Sequence, residues 1–167
     1  IVNRGEAATR CLAAISTLRW AEANPPESVA MYTDADTDAL FVRLADKAVR
    51  IGAGRAAYLD AEGVLAALRS SGCDAAWLGW GFASEDAGFA KVLEDAGIIV
   101  LAPRSETMHL RGDKIRAKQL AEEHSVPVAP WAICESAEEA VAAAPGIGFP
   151  LLVKAAGGGG GRGIRRV

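Results

Sequence analysis

The chain has 167 residues, of which 51% are hydrophobic and 23% are charged, and its formal net charge is -3 at pH 7. This composition predicts a folded globular chain, excludes a disordered one, and leaves room for one domain with part of a second. The sequence has no run of 18 apolar residues and no excess of basic residues, so we expect neither a membrane span nor binding to nucleic acid.

The first hundred residues alternate between short apolar runs and segments with helical periodicity. Ile1-Val2 predicts the end of a buried strand, and the apolar residues between Gly5 and Arg19 recur with the spacing of a helix. The following predicted elements are a strand at 28–33, a helix at 39–45, a strand at 48–51, a helix at 61–70, a strand at 75–78, a helix at 84–96 and a buried strand at 98–101. Such strand–helix–strand units predict an α/β fold whose parallel sheet has helices on both faces. We assign residues 1–103 to one Rossmann-like domain.

The pattern changes after Pro103. Residues 104–125 are predicted to form a linker of two helices. A strand is then expected at 128–133, followed by a helix up to Ala144 in which Ser136 is the N-cap and Glu139 completes a capping box. A last strand begins at Phe149. Residues 126–167 therefore predict the first, incomplete part of a second α+β domain.

The most informative segment follows that last strand. The apolar run 149–153 leads to Lys154, and a glycine-rich segment comes next: Gly157, Gly158, Gly159, Gly160, Gly161, Arg162 and Gly163. A loop almost without side chains can turn its backbone N–H groups toward an oxyanion, and the lysine adds a compact positive charge beside it. We interpret this segment as a strand, a lysine, a glycine loop and a second strand, which together form a lid over nucleotide phosphates.

Other glycine motifs fit this segment less well. A Walker A loop places Lys and then Ser or Thr after its last glycine, whereas Ile164-Arg165 follows Gly163. In a protein kinase the lysine follows the glycine loop, but Lys154 precedes it. A flexible linker usually contains Ser and other polar residues. A basic cluster beside the loop, formed by Arg162, Arg165 and Arg166, fits phosphate binding and a solvated strand edge equally well.

Metal and dinucleotide motifs are not supported. Asp34, Asp36 and Asp38 alternate as in a calcium loop, but the required glycine and glutamate are absent, so we interpret the segment as a solvated turn. The glycines of residues 52–57 lack the acidic residue of a dinucleotide site. The three cysteines, at positions 11, 73 and 134, have no metal-ligand spacing and predict reduced thiols in a cytoplasmic compartment. We therefore expect no metal ligands in this chain.

Four short sequence motifs (the four phrases), taken in order, resemble those of the biotin carboxylase component of biotin-dependent carboxylases. They are Asn3-Arg4-Gly5-Glu6, Gly79-Trp80-Gly81-Phe82-Ala83-Ser84-Glu85, Gly112-Asp113-Lys114 and Lys154-Ala155-Ala156 with its glycine run. The resemblance implies a Rossmann-like domain followed by an ATP-grasp unit with a small lid. It also implies that Lys114 and Lys154 bind ATP, that residues 157–163 close over the β- and γ-phosphates, and that Trp80 and Glu85 lie in an active-site loop. Glu85 is equally well explained as a first-turn residue of a helix beginning at Ser84.

The same resemblance implies the reaction and its participants. Mg-ATP would phosphorylate bicarbonate to carboxyphosphate, whose CO2 passes to the ureido nitrogen of biotin. The metal ligands and catalytic residues would lie beyond Val167, so the isolated chain is expected to be inactive. Its partners would be the biotin carboxyl carrier and carboxyltransferase regions of the same enzyme. The amino-acid sequence of residues 77–82 resembles that of large multidomain acyl-CoA carboxylases, including acetyl-CoA carboxylase, more than that of most bacterial relatives.

Two other functions remain open at this point. Another ATP-grasp ligase, such as a carbamoyl-phosphate synthetase, would share the lid chemistry. A non-catalytic module is the second alternative, in which the Rossmann-like domain serves only docking or regulation. Binding of Mg-ATP would distinguish a nucleotide-binding module from a docking module.

Overall fold

The structure is a computed structural model, and it describes residues 1–112, 114–155 and 163–167. The chain divides into two compact units, Ile1–His109 and Leu110–Val167, and each is described here by itself. The loop residues 157–162, on which part of the predicted phosphate lid rests, lie outside the described residues, and so does Asp113.

The first unit alternates strands and helices. Its elements are α1 (Gly5–Ala21), β1 (Val29–Thr33), α2 (Leu40–Leu44), β2 (Lys47–Gly52), α3 (Ala61–Ser70), β3 (Ala75–Trp77), α4 (Ala87–Asp95) and β4 (Ile99–Leu101), and α5 (Ser105–Gly112) follows across the boundary. Single-turn 3-10 helices occur at Asp34–Asp36, Arg55–Leu59 and Phe82–Glu85. The predicted order of elements is confirmed up to residue 80.

The strands of the first unit are parallel, as predicted. β1 pairs with β2, and β3 pairs with β4. The first residues of the chain run between these pairs: the N–H of Met31 donates to the carbonyl of Ile1 (3.2 Å), and the N–H of Val2 donates to the carbonyl of Trp77 (2.9 Å). The resulting order is β2, β1, residues 1–3, β3, β4, so the first strand of the chain lies in the middle.

The core lies on both faces of this sheet. Neighbouring strand residues point to opposite faces, and Ile1 and Ala30 belong to one buried cluster whereas Val2 and Met31 belong to the other. The first cluster includes residues of α1 and α2, and the second includes residues of α3 and α4. Helices therefore cover both faces, because each face presents a row of apolar side chains.

Two predictions for the end of this unit are wrong. The helix predicted from Ser84 begins at Ala87, because the side chain of Asp86 caps it by accepting from the N–H of Phe89 (3.0 Å). Glu85 therefore lies in the 3-10 helix Phe82–Glu85, before the first turn of α4. The strand at 98–101 is parallel but is buried on one face only. Ile98 and Val100 contact the core, whereas Ile99 is 61% and Leu101 is 56% exposed on the opposite face.

The second unit contains two helices and a hairpin. α6 (Lys114–Glu123) confirms the second of the two helices predicted for residues 104–125, and α7 (Ala137–Ile147) begins at the predicted cap, where the Ser136 hydroxyl accepts from the N–H of Glu139 (3.1 Å). The carboxylate of Glu139 accepts from the N–H of Glu135 (2.8 Å), so the reciprocal half of the capping box forms one residue earlier than predicted.

Two further predictions fail in the second unit. No strand forms at 128–133, because a strand needs a hydrogen-bonding partner and no described strand pairs with this segment. α7 continues through Pro145 to Ile147, three residues beyond the predicted end. β5 (Leu152–Lys154) and β6 (Ile164–Arg166) then form an antiparallel pair on either side of the glycine segment.

Candidate functional site

The base of the glycine loop is a two-stranded hairpin. Lys154 is opposite Ile164 in the β5–β6 register, and the N–H of Ala155 donates to the carbonyl of Gly163 (3.1 Å). These contacts confirm the predicted strands before and after the glycines, and Lys154 is the last residue of β5, at the strand's end as predicted. The hairpin thus brings Lys154 next to the point where the glycine segment returns.

The basic residues of the hairpin do not all share one face. Because side chains alternate along a strand, Lys154 shares its face with Ile164 and Arg166, whereas Arg165 lies on the opposite face with Val153. Arg165 donates to the carbonyl of Ile164 (3.1 Å). Only Arg166 of these two arginines therefore adds positive charge to the face that carries the lysine.

Lys114 is the first residue of α6 and is half-buried. Further along this helix, Lys118 lies over the ring of Trp131 at 5.2 Å from its centroid, and the indole N–H of Trp131 donates to Glu122 (2.7 Å). These contacts attach the segment after α6 to the exposed side of the helix. Both predicted ATP-binding lysines belong to the second unit.

Two of the four sequence phrases meet in the first unit, although they are 75 residues apart. The side chain of Asn3 is buried, and its amide donates to the carbonyls of Leu78 (2.7 Å) and Trp80 (3.0 Å). Trp80 is 53% exposed, and its ring meets the ring of Trp77 edge-on, with centroids 6.1 Å apart. Glu85 is exposed at the end of the following 3-10 turn.

Arg4 extends the same contact region toward β1. Its guanidinium holds both oxygens of Asp36, with Nε 2.9 Å from Oδ2 and Nη2 2.5 Å from Oδ1. Asp36 is only 5% exposed and also accepts from the hydroxyls of Thr33 and Tyr58. Asp36 is therefore not part of a solvated turn, and that prediction is wrong for this residue.

The electrostatics of Asp36 follow from these contacts. Burial by itself raises the pKa of a carboxyl group, but the hydrogen bonds and positive charge of Arg4, together with the Thr33 and Tyr58 hydroxyls, outweigh burial and lower the pKa of Asp36. Burial is the main reason why the pKa of Tyr58 is raised, and the nearby Asp36 charge adds to it. The carboxylate is thus ionised and the phenol neutral at neutral pH.

These groups occupy one edge of the sheet. The carboxyl ends of three neighbouring parallel segments lie together at this edge. They are marked by Asn3, by Thr33 at the end of β1 and by Leu78 after β3. From residues 1–3 the chain moves first to β1 and β2 on one side and later to β3 and β4 on the other. Open α/β sheets bind ligands at such a reversal of strand order. Sequence reasoning noticed the phrases but missed the roles of Asn3, Arg4 and Asp36, because no local pattern signals contacts between distant strands.

The part of the chain that the structure describes contains neither a candidate metal cluster nor a helix that could span a membrane. Within residues 1–112, 114–155 and 163–167, no group of three or more His, Cys, Asp or Glu side chains is placed to hold a metal ion. Over those ranges no helix combines the length and the apolarity needed to cross a membrane.

Comparison with known families accounts for both units. Residues 1–108 match the family described as biotin carboxylase, N-terminal domain. The chain belongs to the biotin carboxylase family. Residues 113–167 match the family described as carbamoyl-phosphate synthase L chain, ATP binding domain. The family resemblance inferred from the four phrases is thereby confirmed.

Relatives of the family match nearly the whole chain. The propionyl-CoA carboxylase alpha chain of Ruegeria pomeroyi is 40% identical over 99% of this chain and 24% of its own length. Biotin carboxylase 1 of Bacillus subtilis is 38% identical over 99% of this chain and 36% of its own length. The chain thus spans about a quarter to just over a third of the relatives it matches.

Solved structures of the family share the fold. A biotin carboxylase from Campylobacter jejuni, in a β,γ-ATP complex, has a TM-score of 0.91 at 37% identity, covering 99% of this chain and 37% of its own. The biotin carboxylase domain dimer of the Hydrogenobacter thermophilus 2-oxoglutarate carboxylase, in complex with MgADP, ADP and bicarbonate, has a TM-score of 0.89 at 37% identity, covering 99% and 36%. The predicted α/β fold with an ATP-grasp component is confirmed.

Proposed function

We propose that this chain is part of an enzyme that uses ATP and bicarbonate to carboxylate biotin. The observation that carries the proposal is the match of residues 1–108 to the N-terminal domain of biotin carboxylase. Structures similar to this chain hold ADP or bicarbonate, and they are biotin carboxylase domains of larger carboxylases. Relatives act within acyl-CoA carboxylases, so carboxyl carrier and carboxyltransferase regions are the proposed partners. A cytoplasmic compartment is part of the same proposal.

The described part of the hairpin fits a polyphosphate. Lys154 is exposed on a face that also carries Arg166, and the bond between Ala155 and Gly163 holds the two ends of the glycine segment together. Clustered cations and backbone N–H groups are the usual ligands of phosphate oxygens. In the proposed function Lys154, Lys114 and residues 157–163 bind ATP. Trp80 and Glu85 are proposed to belong to an active-site loop of the first unit.

The proposed chemistry is a phosphoryl transfer. An oxygen of bicarbonate attacks the γ-phosphorus, the bond to the β-phosphate oxygen breaks, and ADP leaves. Carboxyphosphate then releases CO2 and phosphate, and CO2 joins the ureido nitrogen of biotin as that nitrogen loses its proton. Such a transfer depends mainly on positioning and charge neutralisation, which lysines and amide groups supply. Mg2+ bound with ATP would add charge neutralisation, and its ligands are proposed to lie outside this chain.

Lys154 provides the test of the proposed ATP site. In the carboxylase that contains this chain, Lys154→Ala is expected to lower bicarbonate-dependent ATP cleavage by about 100-fold, the usual effect of losing one positioned donor. Arg165→Ala is the matched control, because it removes a cation from the opposite face of the same hairpin, and its rate should match the unsubstituted enzyme. Equal rates for both variants and the unsubstituted enzyme would contradict the assignment of Lys154.

The isolated chain separates the remaining alternatives. It is expected to cleave no ATP in the presence of bicarbonate, because the other catalytic residues are proposed to lie elsewhere in the enzyme. Saturable binding of Mg-ATP by the chain would show a self-contained nucleotide module. If turnover of the whole enzyme did not depend on ATP, the docking module would be favoured. If the enzyme carbamoylated or ligated another substrate, a different ATP-grasp ligase would be favoured. Residues 113–167 match the ATP-binding domain of the carbamoyl-phosphate synthase L chain, which is such a ligase.

A further inference from the structure

The amide of Asn3 is fully used in a buried position. Asn3 is 3% exposed, its Nδ2 donates to the carbonyls of Leu78 (2.7 Å) and Trp80 (3.0 Å), and its Oδ1 accepts from the N–H of Arg4 (2.8 Å). Both hydrogens of the primary amide are donated, and its oxygen accepts one hydrogen bond. An aspartate of nearly the same shape has no hydrogen to donate when ionised. The surroundings therefore select asparagine by its donors as well as by its size.

The two donated bonds hold a sharp bend. Leu78 and Trp80 lie on either side of Gly79, so Asn3 binds the chain immediately before and after this glycine. Gly79 has a φ of +68°, and a Cβ at this position would lie 2.8 Å from Asn3 Nδ2 and 2.8 Å from Cη2 of Trp77. The bend, the amide and the Trp77 ring are thus packed together with no space for another atom.

The ring of Trp80 depends on this bend. Trp80 as a whole residue is 53% exposed, so burial does not determine where its ring lies. Its backbone carbonyl is bound by Asn3, and its ring contacts Trp77 edge-on at an interplanar angle of 86°. We propose that Asn3 is a positioning residue that sets the place of Trp80 at the carboxyl edge of the sheet.

The position of Asn3 in the chain explains why it can act in this way. It follows Val2, which bonds to β3 in the middle of the sheet, and it precedes Arg4, which holds the buried Asp36 on the β1 side. The backbone of Asn3 is therefore held by the contacts of both neighbouring residues, independently of its bonds to residues 78–80. A rigid donor on a central strand positions a loop more accurately than the loop positions itself.

The test uses Asn3→Asp and the circular dichroism of the tryptophan pair. Two indole rings this close give an exciton couplet, which Trp80→Phe should abolish and thereby assign. Asn3→Asp keeps the acceptor for Arg4 but places a carboxylate against two carbonyl oxygens, so the couplet should be lost at about pH 8. A protonated carboxyl group donates one hydrogen bond, and burial beside two carbonyl oxygens raises the pKa of this carboxyl above the ordinary aspartate value of about 4. The couplet should therefore partly return on acidification, before exposed aspartates are protonated.

Leu68→Ala is the control for general destabilisation, because Leu68 is a buried residue of α3 in one core cluster, whereas Trp77 packs against the other cluster. It should lower the unfolding midpoint and leave the couplet unchanged at every pH. Loss of the couplet in Asn3→Asp with recovery on acidification supports the positioning role. A couplet that persists in Asn3→Asp at about pH 8, or one that Leu68→Ala also removes, overturns it.

A second test measures enzyme activity and rests on the proposed function. Its result is independent of the circular dichroism result. In the carboxylase that contains this chain, Asn3→Asp should lower kcat for biotin carboxylation by about 100-fold, as expected for a displaced active-site loop. The KM for ATP should stay within about twofold, because the proposed ATP ligands belong to the second unit. Loss of the couplet with unchanged turnover would support the positioning role of Asn3 and refute the assignment of Trp80 to the active site.

Discussion

The ion pair between Arg4 and Asp36 gives the sharpest stability prediction. The side chain of Asp36 is 6% exposed and that of Arg4 is 30% exposed, so Arg4→Met leaves a carboxylate that is buried without its cation. Removing one partner of a buried pair costs about 3–5 kcal/mol. Because Arg4 is partly solvated and the Thr33 hydroxyl still donates to Asp36, we expect a loss of about 2–3 kcal/mol in the free energy of unfolding at pH 7.

The pH dependence of this loss provides an independent check. With Arg4 present the pKa of Asp36 in the folded state is lowered, so the pair contributes stability above the ordinary aspartate pKa, and this contribution is lost as the pH falls through the folded pKa. In Arg4→Met the cation no longer opposes burial, so the pKa of Asp36 is raised. Protonation of Asp36 in acid then removes the cost of its buried, unpaired charge. The difference in unfolding free energy should therefore shrink below about pH 4.

Arg50→Met is the matched control. Arg50 holds Asp34 with the same two-point geometry, but these side chains are 54% and 50% exposed, so we expect a loss below about 1 kcal/mol. Urea denaturation followed by far-UV circular dichroism, from about pH 7 to about pH 3, measures both variants. Equal losses in the two variants, or a loss in Arg4→Met that grows in acid, would refute the reasoning.

Two further predictions concern glycine positions and the cap of α4. Gly79→Ala should cost more unfolding free energy than Gly72→Ala: each has a positive φ, worth about 1–2 kcal/mol, but only at Gly79 would the new methyl group collide with neighbouring atoms. Thermal denaturation compares the two, and equal melting temperatures would contradict the tight packing around Gly79. Asp86→Ala should cost about 1 kcal/mol because α4 loses its cap, whereas Glu85→Ala should change stability by less than about 0.5 kcal/mol. The same melts measure both, and the reverse order would contradict the observed start of the helix.

Local signals in the sequence were reliable where one residue decides an element. Asp60 accepts from the N–H of Gly63 (3.1 Å) and begins α3 as predicted. By contrast, Ser84 and Asp86 are both good N-cap residues, and the sequence favours neither. Phe89 is 1% exposed in the core, and the start of α4 at Ala87 places it there. The choice between two caps was thus made by packing.

Strands were predicted less reliably because a strand is stable only with a partner. Apolar residues at 128–133 looked like those at 75–78, but only the second segment pairs with a neighbour among the described strands. The same limit explains β4, whose apolar composition suggested burial on both faces. Its exposure depends on which elements pack against it, and a single segment of sequence does not contain that information.

By itself, the sequence determined the α/β class, the order of most elements, the hairpin around the glycine segment and the family. Each rests on local patterns: periodicity, caps, and short phrases such as Lys154 with its glycines. Only the tertiary structure decided that Asn3 binds the carbonyls around Gly79, and that Asp36 is a buried partner of Arg4 and not a solvated residue. The physical reason is that the sheet inserts the first residues between β1 and β3, and hydrogen bonds between such distant segments follow from the strand order.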